Sequence, residues 1–318
     1  MALLTLIVGL SLLVLGADLV VRGASRFAGR LRISPVIVGL TVVALATSLP
    51  EAVVSLGGVW QGRAELALGN AVGSNLFNIL FILGAVALLR PLAVNRCFLR
   101  RELPALALVT LCCLFAAIDG TFSRGEGLLL VVGLTGYLAL VVRSVGRQAT
   151  ETPLARKPDS WDTSTRTLVL LLGGGVASLG LGAHIALGAA VDIAASFSVG
   201  ERVVGLFVLG AGSSLPELVT SVVAVRRGSS DIAIGNVLGS CLFNLLFVLG
   251  LTSVLAPSSV AFSSESLVDV AAMAAAFAVA AVFLRSGLRL SRLEGGVLVL
   301  NYLGYLGVAV VFGERSFG

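Results

Sequence analysis

The chain has 318 residues, of which 57% are hydrophobic and only 12% are charged, and its mean hydropathy is +1.05. This composition excludes an ordinary soluble globule, because too little polar surface is available to cover one, and it predicts an integral membrane protein. The net charge of +5 does not indicate a nucleic-acid-binding protein, because the basic residues are spread over separate loops between apolar segments.

Apolar windows separated by short charged turns run through the whole chain. A membrane-spanning helix needs about 20 mostly apolar residues. A barrel strand would instead alternate apolar and polar residues within about ten positions, and these windows do not alternate. We therefore predict an all-α membrane protein with ten transmembrane helices. In chain order the windows cover residues 2–21, 34–60, 66–89, 103–119, 126–142, 167–197, 203–225, 232–256, 267–284 and 294–313.

Most of the 22 Lys and Arg residues lie in alternate loops, after predicted helices 1, 3, 5, 7 and 9. By the positive-inside rule these loops face the cytoplasm, so both termini are expected on the other side of the cell (inner) membrane. The first window has a dense basic stretch after it and none before it, which is the reverse of a signal peptide. We expect it to remain as a helix.

The sequence contains an internal repeat. A shift of 166 residues aligns the two halves without a gap, and 24 of the 51 positions from 39 to 89 are identical to their partners. Each copy has five helices, an odd number, so the second copy must enter the membrane from the opposite face. Such inverted repeats favour alternating access over a continuous pore. The expected divisions are a first repeat over 1–145, a cytoplasmic linker over 146–166 and a second repeat over 167–318.

Predicted helices 2 and 7 carry the strings ATSLPE and GSSLPE, each with a glutamate one residue after a proline. An ionised carboxylate at membrane depth costs at least about 2.5 to 3.5 kcal/mol, so two of them indicate a function. Thr47 and Ser48 precede Glu51 by four and three residues and share its helical face. Pro50 removes a backbone donor, which predicts a kink with freed carbonyls. The equivalent residues of helix 7 are Ser213, Ser214, Pro216 and Glu217.

Predicted helices 3 and 8 carry the strings GNAVGSNLFN and GNVLGSCLFN. Glycines four residues apart are typical of close helix packing. One turn further on, each helix offers a hydroxyl and an amide in line. We expect both roles, with the glycines bringing the helices together and the polar side chains facing the glutamates. These polar side chains are Ser74 and Asn78 in helix 3, and Ser240 and Asn244 in helix 8.

The polar residues of these four helices form an all-oxygen set, which selects hard cations such as Ca²⁺, Na⁺ or Mg²⁺. Mg²⁺ fits less well, because it sheds its water reluctantly. Two carboxylates can balance one Ca²⁺ or be shared by several Na⁺, and competition for them would couple the two fluxes. No nucleophile with a base, redox-cofactor motif or catalytic metal triad is visible, so an enzyme is not expected.

The paired strings resemble the two alpha-repeats of the cation/calcium antiporter superfamily, most closely those of the prokaryotic sodium/calcium exchangers. The resemblance covers nearly the whole chain and implies an antiporter that exchanges Na⁺ for Ca²⁺ by alternating access. It implies Ca²⁺, Na⁺ and the lipid bilayer as partners, no cofactor and no nucleic acid, with a monomer sufficient for transport. The ligands it implies are Thr47, Ser48, Glu51, Ser74, Asn78, Ser213, Ser214, Glu217, Ser240 and the carbonyls of Ala44 and Gly210.

Three positions depart from parts of that family. Ser213 replaces the more usual threonine, a mild change that keeps the hydroxyl. Asn244 stands where some exchangers, including the potassium-dependent ones, carry aspartate, which disfavours K⁺ co-transport and makes the midplane symmetric with Asn78. Cys241 replaces the asparagine found at Asn75, and this change is expected to matter little if the side chain faces away from the ions.

Other functions and other polar residues remain open on sequence grounds. Two carboxylates close together in a low dielectric could take up protons, so a proton-coupled cation antiporter is the alternative. A passive cation channel or a non-transporting scaffold would need neither Na⁺ nor H⁺ as a counter-ion. Asp18 and His184 occupy matching positions in helices 1 and 6, and we interpret both as structural, with Asp18 paired to Arg22 one turn away.

Overall fold

A computed structural model describes residues 2–31, 33–61, 64–118, 120–151, 164–196, 210–256, 259–261 and 264–315. Six of the described helices are long and apolar enough to cross a membrane, or seven if the bent pair that follows the first helix is one span. Many large apolar side chains on these helices are exposed, as expected of surfaces that face lipid. The chain is therefore a multi-pass, helical membrane protein.

Each described helix overlaps one predicted window, and several contain a π-helical turn that adjoins an α-helical segment. The helices are α1 (Ala2–Leu31), α2 (Pro35–Thr47 and Leu49–Trp60), α3 (Ala64–Leu76, Phe77–Ile82 and Leu83–Leu89), α4 (Phe98–Glu102 and Leu103–Ile118), α5 (Arg124–Glu151), α6 (Thr165–Ser196), α7 (Gly210–Ser213 and Leu215–Arg226), α8 (Ser230–Phe243, Asn244–Leu249 and Gly250–Leu255), α9 (Ser264–Arg285) and α10 (Arg292–Arg315).

Some helices differ from their predicted windows in length. Helix α1 continues about three turns beyond its window, through the basic stretch that was assigned to a loop. Helix α5 extends to Glu151, into the first part of the predicted linker, while residues 152–163 of that linker lie outside the described residues. The start of the predicted seventh helix also lies outside them, so α7 is described from Gly210 onward.

Reciprocal serine and glutamate pairs begin two of the helices. At the start of α5, the amide of Ser123 donates to Glu126 Oε2 at 2.7 Å, and the amide of Glu126 donates to Ser123 Oγ at 3.2 Å. Ser291 and Glu294 form the same pair at the start of α10, at 2.8 and 3.3 Å. Each pair satisfies two backbone donors that a helix N-terminus leaves without intrahelical partners.

Helices α1 and α6 pack antiparallel along most of their length. A Cβ added to Gly9 would lie 2.5 Å from the amide nitrogen of Ala186, and one added to Gly16 would lie 2.7 Å from that of Leu179. These contacts leave no room for a side chain, so the glycines allow the two backbones to touch. Helices α1 and α6 are equivalent under the 166-residue shift, so this one equivalent pair runs in opposite directions.

Helix α8 lies at the centre, with 94% of its apolar window buried. It packs on the first half of α2, where a Cβ on Gly239 would lie 2.7 Å from the carbonyl oxygen of Leu40 and from Ala44 Cβ. A Cβ on Gly235 would lie 3.1 Å from Gly39 Cα. The predicted packing role of the α8 glycines is confirmed.

The α3 glycines make no such close contact with the described residues. A Cβ on Gly69 or Gly73 meets no described atom within 4 Å. The segment equivalent to the start of α2, residues 201–209, lies outside the described residues. Their packing role therefore stays a prediction.

Four short strands tie loops from the two halves together. Strand β1 (Leu92–Ala93) pairs antiparallel with β4 (Arg289–Leu290), and β2 (Thr121–Phe122) pairs antiparallel with β3 (Val260–Ala261). The loop after α3 thus meets the loop after α9, and the loop after α4 meets the loop after α8.

Candidate cation site

Helix α2 is broken where the sequence predicts a kink. Its two segments meet at Ser48 with a bend of 43°. Pro50 is responsible, because it lacks the N–H that would continue the ladder and its ring crowds the preceding turn. In α7 the segments meet in the same way at Ser214, two residues before Pro216. Both breaks place the proline in the first turn of the second segment, where proline is tolerated.

Glu51 and Glu217 lie just after these breaks, and both are fully buried. Ser214 Oγ donates to Glu51 Oε1 at 2.9 Å, and Ser48 Oγ donates to Glu217 Oε1 at 3.1 Å. Each half of the chain therefore supplies the serine that holds the other half's glutamate. This exchange brings the two carboxylates close enough to interact electrostatically.

The second oxygen of each carboxylate has no hydrogen-bond partner in the described part of the chain. Glu51 Oε2 and Glu217 Oε2 are buried and accept no hydrogen bond from any described residue. Within the described ranges, no Arg or Lys forms an ion pair with either glutamate. Buried negative charge without a positive partner is strongly unfavourable. The two carboxylates thus require cations or protons for neutralisation.

Two asparagines that sequence analysis did not select fix the backbone behind the glutamates. Asn70 Nδ2 donates to the Glu51 carbonyl at 3.2 Å and to Ser55 Oγ at 2.9 Å. Asn236 repeats both bonds in the second half, at 3.3 Å to the Glu217 carbonyl and 3.0 Å to Ser221 Oγ. These bonds join α3 to α2, and α8 to α7. The signal was available, since both asparagines and both serines are identical under the 166-residue shift.

The remaining hydroxyls complete the same network. Thr47 Oγ1 donates to Asn236 Oδ1 at 3.0 Å and lies 3.3 Å from Ser240 Oγ. Ser213 Oγ donates to Asn70 Oδ1 at 3.2 Å and lies 3.4 Å from Ser74 Oγ. The serines of α3 and α8 thus contact hydroxyls next to the glutamates, while the prediction that Ser74, Asn78, Ser240 and Asn244 face the glutamates themselves stays a prediction.

Asn78 and Asn244 are fully buried, and their amide oxygens have no hydrogen-bond partner among the residues that the structure describes. Neither amide atom of Asn78 has an oxygen or nitrogen partner in the described part of the chain, and its neighbour is the Cys241 thiol. Asn244 Nδ2 donates to Asn75 Oδ1 at 3.3 Å, so Asn75 contacts a candidate site residue. The two amides match in sequence but differ in their partners.

The two backbone candidates, the carbonyls of Ala44 and Gly210, belong to the turns that precede the breaks in α2 and α7. The carbonyl of Ala44 accepts from the amide of Ser48 at 3.0 Å and from Thr47 Oγ1 at 3.2 Å, so it lies at the break in α2. Gly210 begins the described part of α7, one turn before the equivalent break.

Asp18 and His184 lie away from this network. Asp18 accepts from Arg22 at 2.7 Å and also pairs with Arg227 at the end of α7. The predicted pairing of Asp18 with Arg22 is confirmed, and the contact with Arg227 was not predicted. His184 is exposed on α6.

The donor set consists of two carboxylates surrounded by neutral oxygens. Among the residues that the structure describes, no three His, Cys, Asp or Glu side chains come together as in a zinc or iron site. An oxygen set with two formal negative charges matches hard cations such as Ca²⁺ and Na⁺.

Comparison with known proteins identifies a family. The model of the sodium/calcium exchanger protein family matches residues 1–143 and 167–311. CaxA of Alkalimonas amylolytica is 39% identical over 306 residues, which cover 94% of this chain and 95% of CaxA. The sodium/calcium exchanger MaX1 of Methanosarcina acetivorans is 29% identical, over 95% and 97% of the two chains.

A solved structure has the same fold. The sodium-calcium exchanger NCX_Mj, soaked with Na⁺ and Ca²⁺, superposes with a TM-score of 0.82 at 25% identity, and the match covers 98% of this chain and 97% of NCX_Mj.

Proposed function

Because this chain belongs to the sodium/calcium exchanger protein family, we propose that it is a secondary active antiporter that exchanges Na⁺ for Ca²⁺ across the membrane by alternating access. Antiport of a cation against Ca²⁺ is the activity common to the family, and its members are transporters, not enzymes. The choice of Na⁺ is supported by the relative MaX1, which is named a sodium/calcium exchanger.

One observation carries the proposal. Glu51 and Glu217 are buried together, each with one oxygen held by a serine of the other half and one oxygen that accepts no hydrogen bond from the residues the structure describes. These oxygens provide the charge that a divalent cation requires. The proposed ligands are Glu51, Glu217, Thr47, Ser48, Ser213, Ser214, Ser74, Asn78, Ser240, Asn244 and the carbonyls of Ala44 and Gly210.

The same charge explains why transport would be coupled. Without cations, the site holds two uncompensated carboxylates in a dry interior, and rearranging it in that state is costly. Loaded with one Ca²⁺ or with several Na⁺, the site is neutralised and can change its accessibility. A protein that changes access only when loaded exchanges its ions and does not leak them.

We also propose that ten crossings form two inverted repeats, over 1–145 and 167–318, joined by a linker over 146–166. The antiparallel packing of α1 with α6 supports inversion. The strand pairs support the count, because six crossings separate the paired loops after α3 and α9 and four separate those after α4 and α8. An even number of crossings returns the chain to the same face. By the positive-inside rule, we expect both termini on the side of the inner membrane that faces away from the cytoplasm.

Reconstitution tests the function directly. Purified protein in liposomes, loaded with Na⁺ and diluted into Na⁺-free buffer with radioactive Ca²⁺ and clamped pH, is expected to accumulate Ca²⁺. Loading with K⁺ or choline at the same osmolarity is the control and is expected to give background uptake. Equal uptake from all three loadings would contradict Na⁺ coupling and would indicate a passive channel, and no uptake under any gradient would indicate a scaffold.

Proton coupling is the second candidate, and a specific observation favours it. The two unpartnered carboxylate oxygens could be neutralised by protons as well as by cations, since no basic side chain among the described residues pairs with them. In the same liposomes, an outward proton gradient without Na⁺ would then drive Ca²⁺ uptake. Uptake that follows the proton gradient and ignores Na⁺ would replace the first proposal with this one.

A further inference from the structure

The two halves of the network carry side chains of different chemistry at the matched positions of Asn75 in α3 and Cys241 in α8. Asn75 is fully buried. Its Nδ2 lies 3.4 Å from the carbonyl oxygen of Cys241 and 3.6 Å from Met273 Sδ on α9. A carbonyl and a thioether can only accept, so the amide nitrogen of Asn75 must face them and its oxygen must face the opposite way.

The orientation of Asn75 determines that of Asn244. The oxygen of Asn75 accepts from Asn244 Nδ2 at 3.3 Å. With its nitrogen held there, the other amide atom of Asn244, the oxygen, is left without any partner in the described residues, although it is buried. A buried amide oxygen without a donor is costly unless a cation or water uses it.

The equivalent amide in the first half is not held in this way. Asn78 has the Cys241 thiol as its neighbour where Asn244 has an amide oxygen. A thiol is a weak donor and a weak acceptor, so it does not distinguish strongly between the oxygen and the nitrogen of Asn78. Asn78 can therefore present either atom to the site.

We propose that Asn75 is a positioning and specificity-determining residue. It orients the Asn244 side chain so that the amide oxygen faces the cation, whereas Asn78 can turn either amide atom toward the site. The inference rests on the proposed function in so far as cations occupy this site. Ca²⁺ should depend on Asn75 more than Na⁺ does, because Ca²⁺ requires six to eight oxygen ligands and its double charge is repelled more strongly by an amide NH₂ group.

The test measures CaCl₂ binding to the purified, full-length protein by calorimetry in Na⁺-free detergent solution. Asn75→Ala is expected to weaken Ca²⁺ binding about ten-fold or more, as loss of a group that orients a ligand commonly does. Asn75→Cys introduces in α3 the residue that α8 has at the matched position. It is expected to weaken Ca²⁺ binding as much as Asn75→Ala does, and it replaces Asn75→Ala in the test if that variant does not fold. Cys241→Ala is the matched control and should bind as the wild type does.

A second experiment, in a protein that carries Asn244→Asp, distinguishes an orienting role of Asn75 from a general structural role. In an Asn244→Asp protein, either carboxylate oxygen can face the cation, so adding Asn75→Ala should change Ca²⁺ affinity by less than about two-fold. Equal losses in both backgrounds would show a merely structural role and overturn the inference, as would unchanged affinity in the Asn75→Ala and Asn75→Cys single variants. Absence of Ca²⁺ binding by the wild type would instead overturn the proposed function.

Discussion

At the scale of single residues, the site depends on reciprocal bonds between the two halves. Ser48 holds Glu217 and Ser214 holds Glu51, so neither half contains a complete site. The serines use one oxygen of each carboxylate, and the other oxygen has no hydrogen-bond partner among the described residues. The charge, and not the hydrogen-bonding capacity, is therefore the property that glutamine would remove.

Glu51→Gln and Glu217→Gln are each expected to abolish Ca²⁺ uptake while the protein stays folded. Glutamine keeps an oxygen that can accept from the serine, and removing a buried charge relieves desolvation. Uptake by liposomes and thermal unfolding without added cations would be measured together. Glu294→Gln, which removes a carboxylate from the start of α10, is the matched control and should retain uptake. Wild-type uptake by either buried-site variant would refute the assignment.

Asn236→Ala is expected to lower both stability and Ca²⁺ affinity. The Glu217 carbonyl and Ser221 Oγ would lose their common donor, at a cost of about 1 to 3 kcal/mol for buried groups. Ser221→Ala removes only one of the two bonds and should have the smaller effect. Denaturant unfolding and the Ca²⁺ concentration for half-maximal uptake would check both variants. A larger loss for Ser221→Ala would contradict the bracing role of Asn236.

At the scale of elements, glycines determine how closely α8 approaches α2. A Cβ at Gly239 would meet the Leu40 carbonyl, which is backbone and cannot move aside cheaply. Gly239→Ala should therefore destabilise the protein by about 1 to 3 kcal/mol, as overpacking usually does. Gly57→Ala is the control, since a Cβ there meets no described atom within 4 Å, and alanine favours a helix. Equal unfolding midpoints for the two variants would contradict the close contact.

Much of the arrangement of helices along the chain could be predicted from the sequence. Apolar windows located the helices, and Pro50 and Pro216 located the breaks, because both signals are local. The helix ends were less accurate, since α1 and α5 extend through charged stretches that hydropathy alone assigns to loops.

The contacts within the site could be predicted only in part. The sequence selected the glutamates and their neighbours by residue type and by repetition. It could not show that Asn70 and Asn236 brace them or that Asn75 touches Asn244, because those bonds join residues on different helices and depend on side-chain orientation.

At the scale of the whole molecule, the pairing of loops predicts which face each one occupies. Under the proposed topology, β1 and β4 lie on the cytoplasmic face, and β2 and β3 lie on the other. In a protein without its native cysteines, Thr121→Cys should react with a membrane-impermeant thiol reagent in intact cells. Arg289→Cys should react only after permeabilisation. Both side chains are exposed, so labelling of both from one face would contradict ten crossings.

The central claim is that Glu51 and Glu217 together hold the transported cation. Crystals of the protein soaked in Sr²⁺, a heavier analogue of Ca²⁺, would locate it by anomalous scattering. The account predicts one strong peak between the two carboxylates, within coordination distance of both. Strong peaks only at other positions, at Sr²⁺ concentrations that inhibit Ca²⁺ uptake, would contradict it.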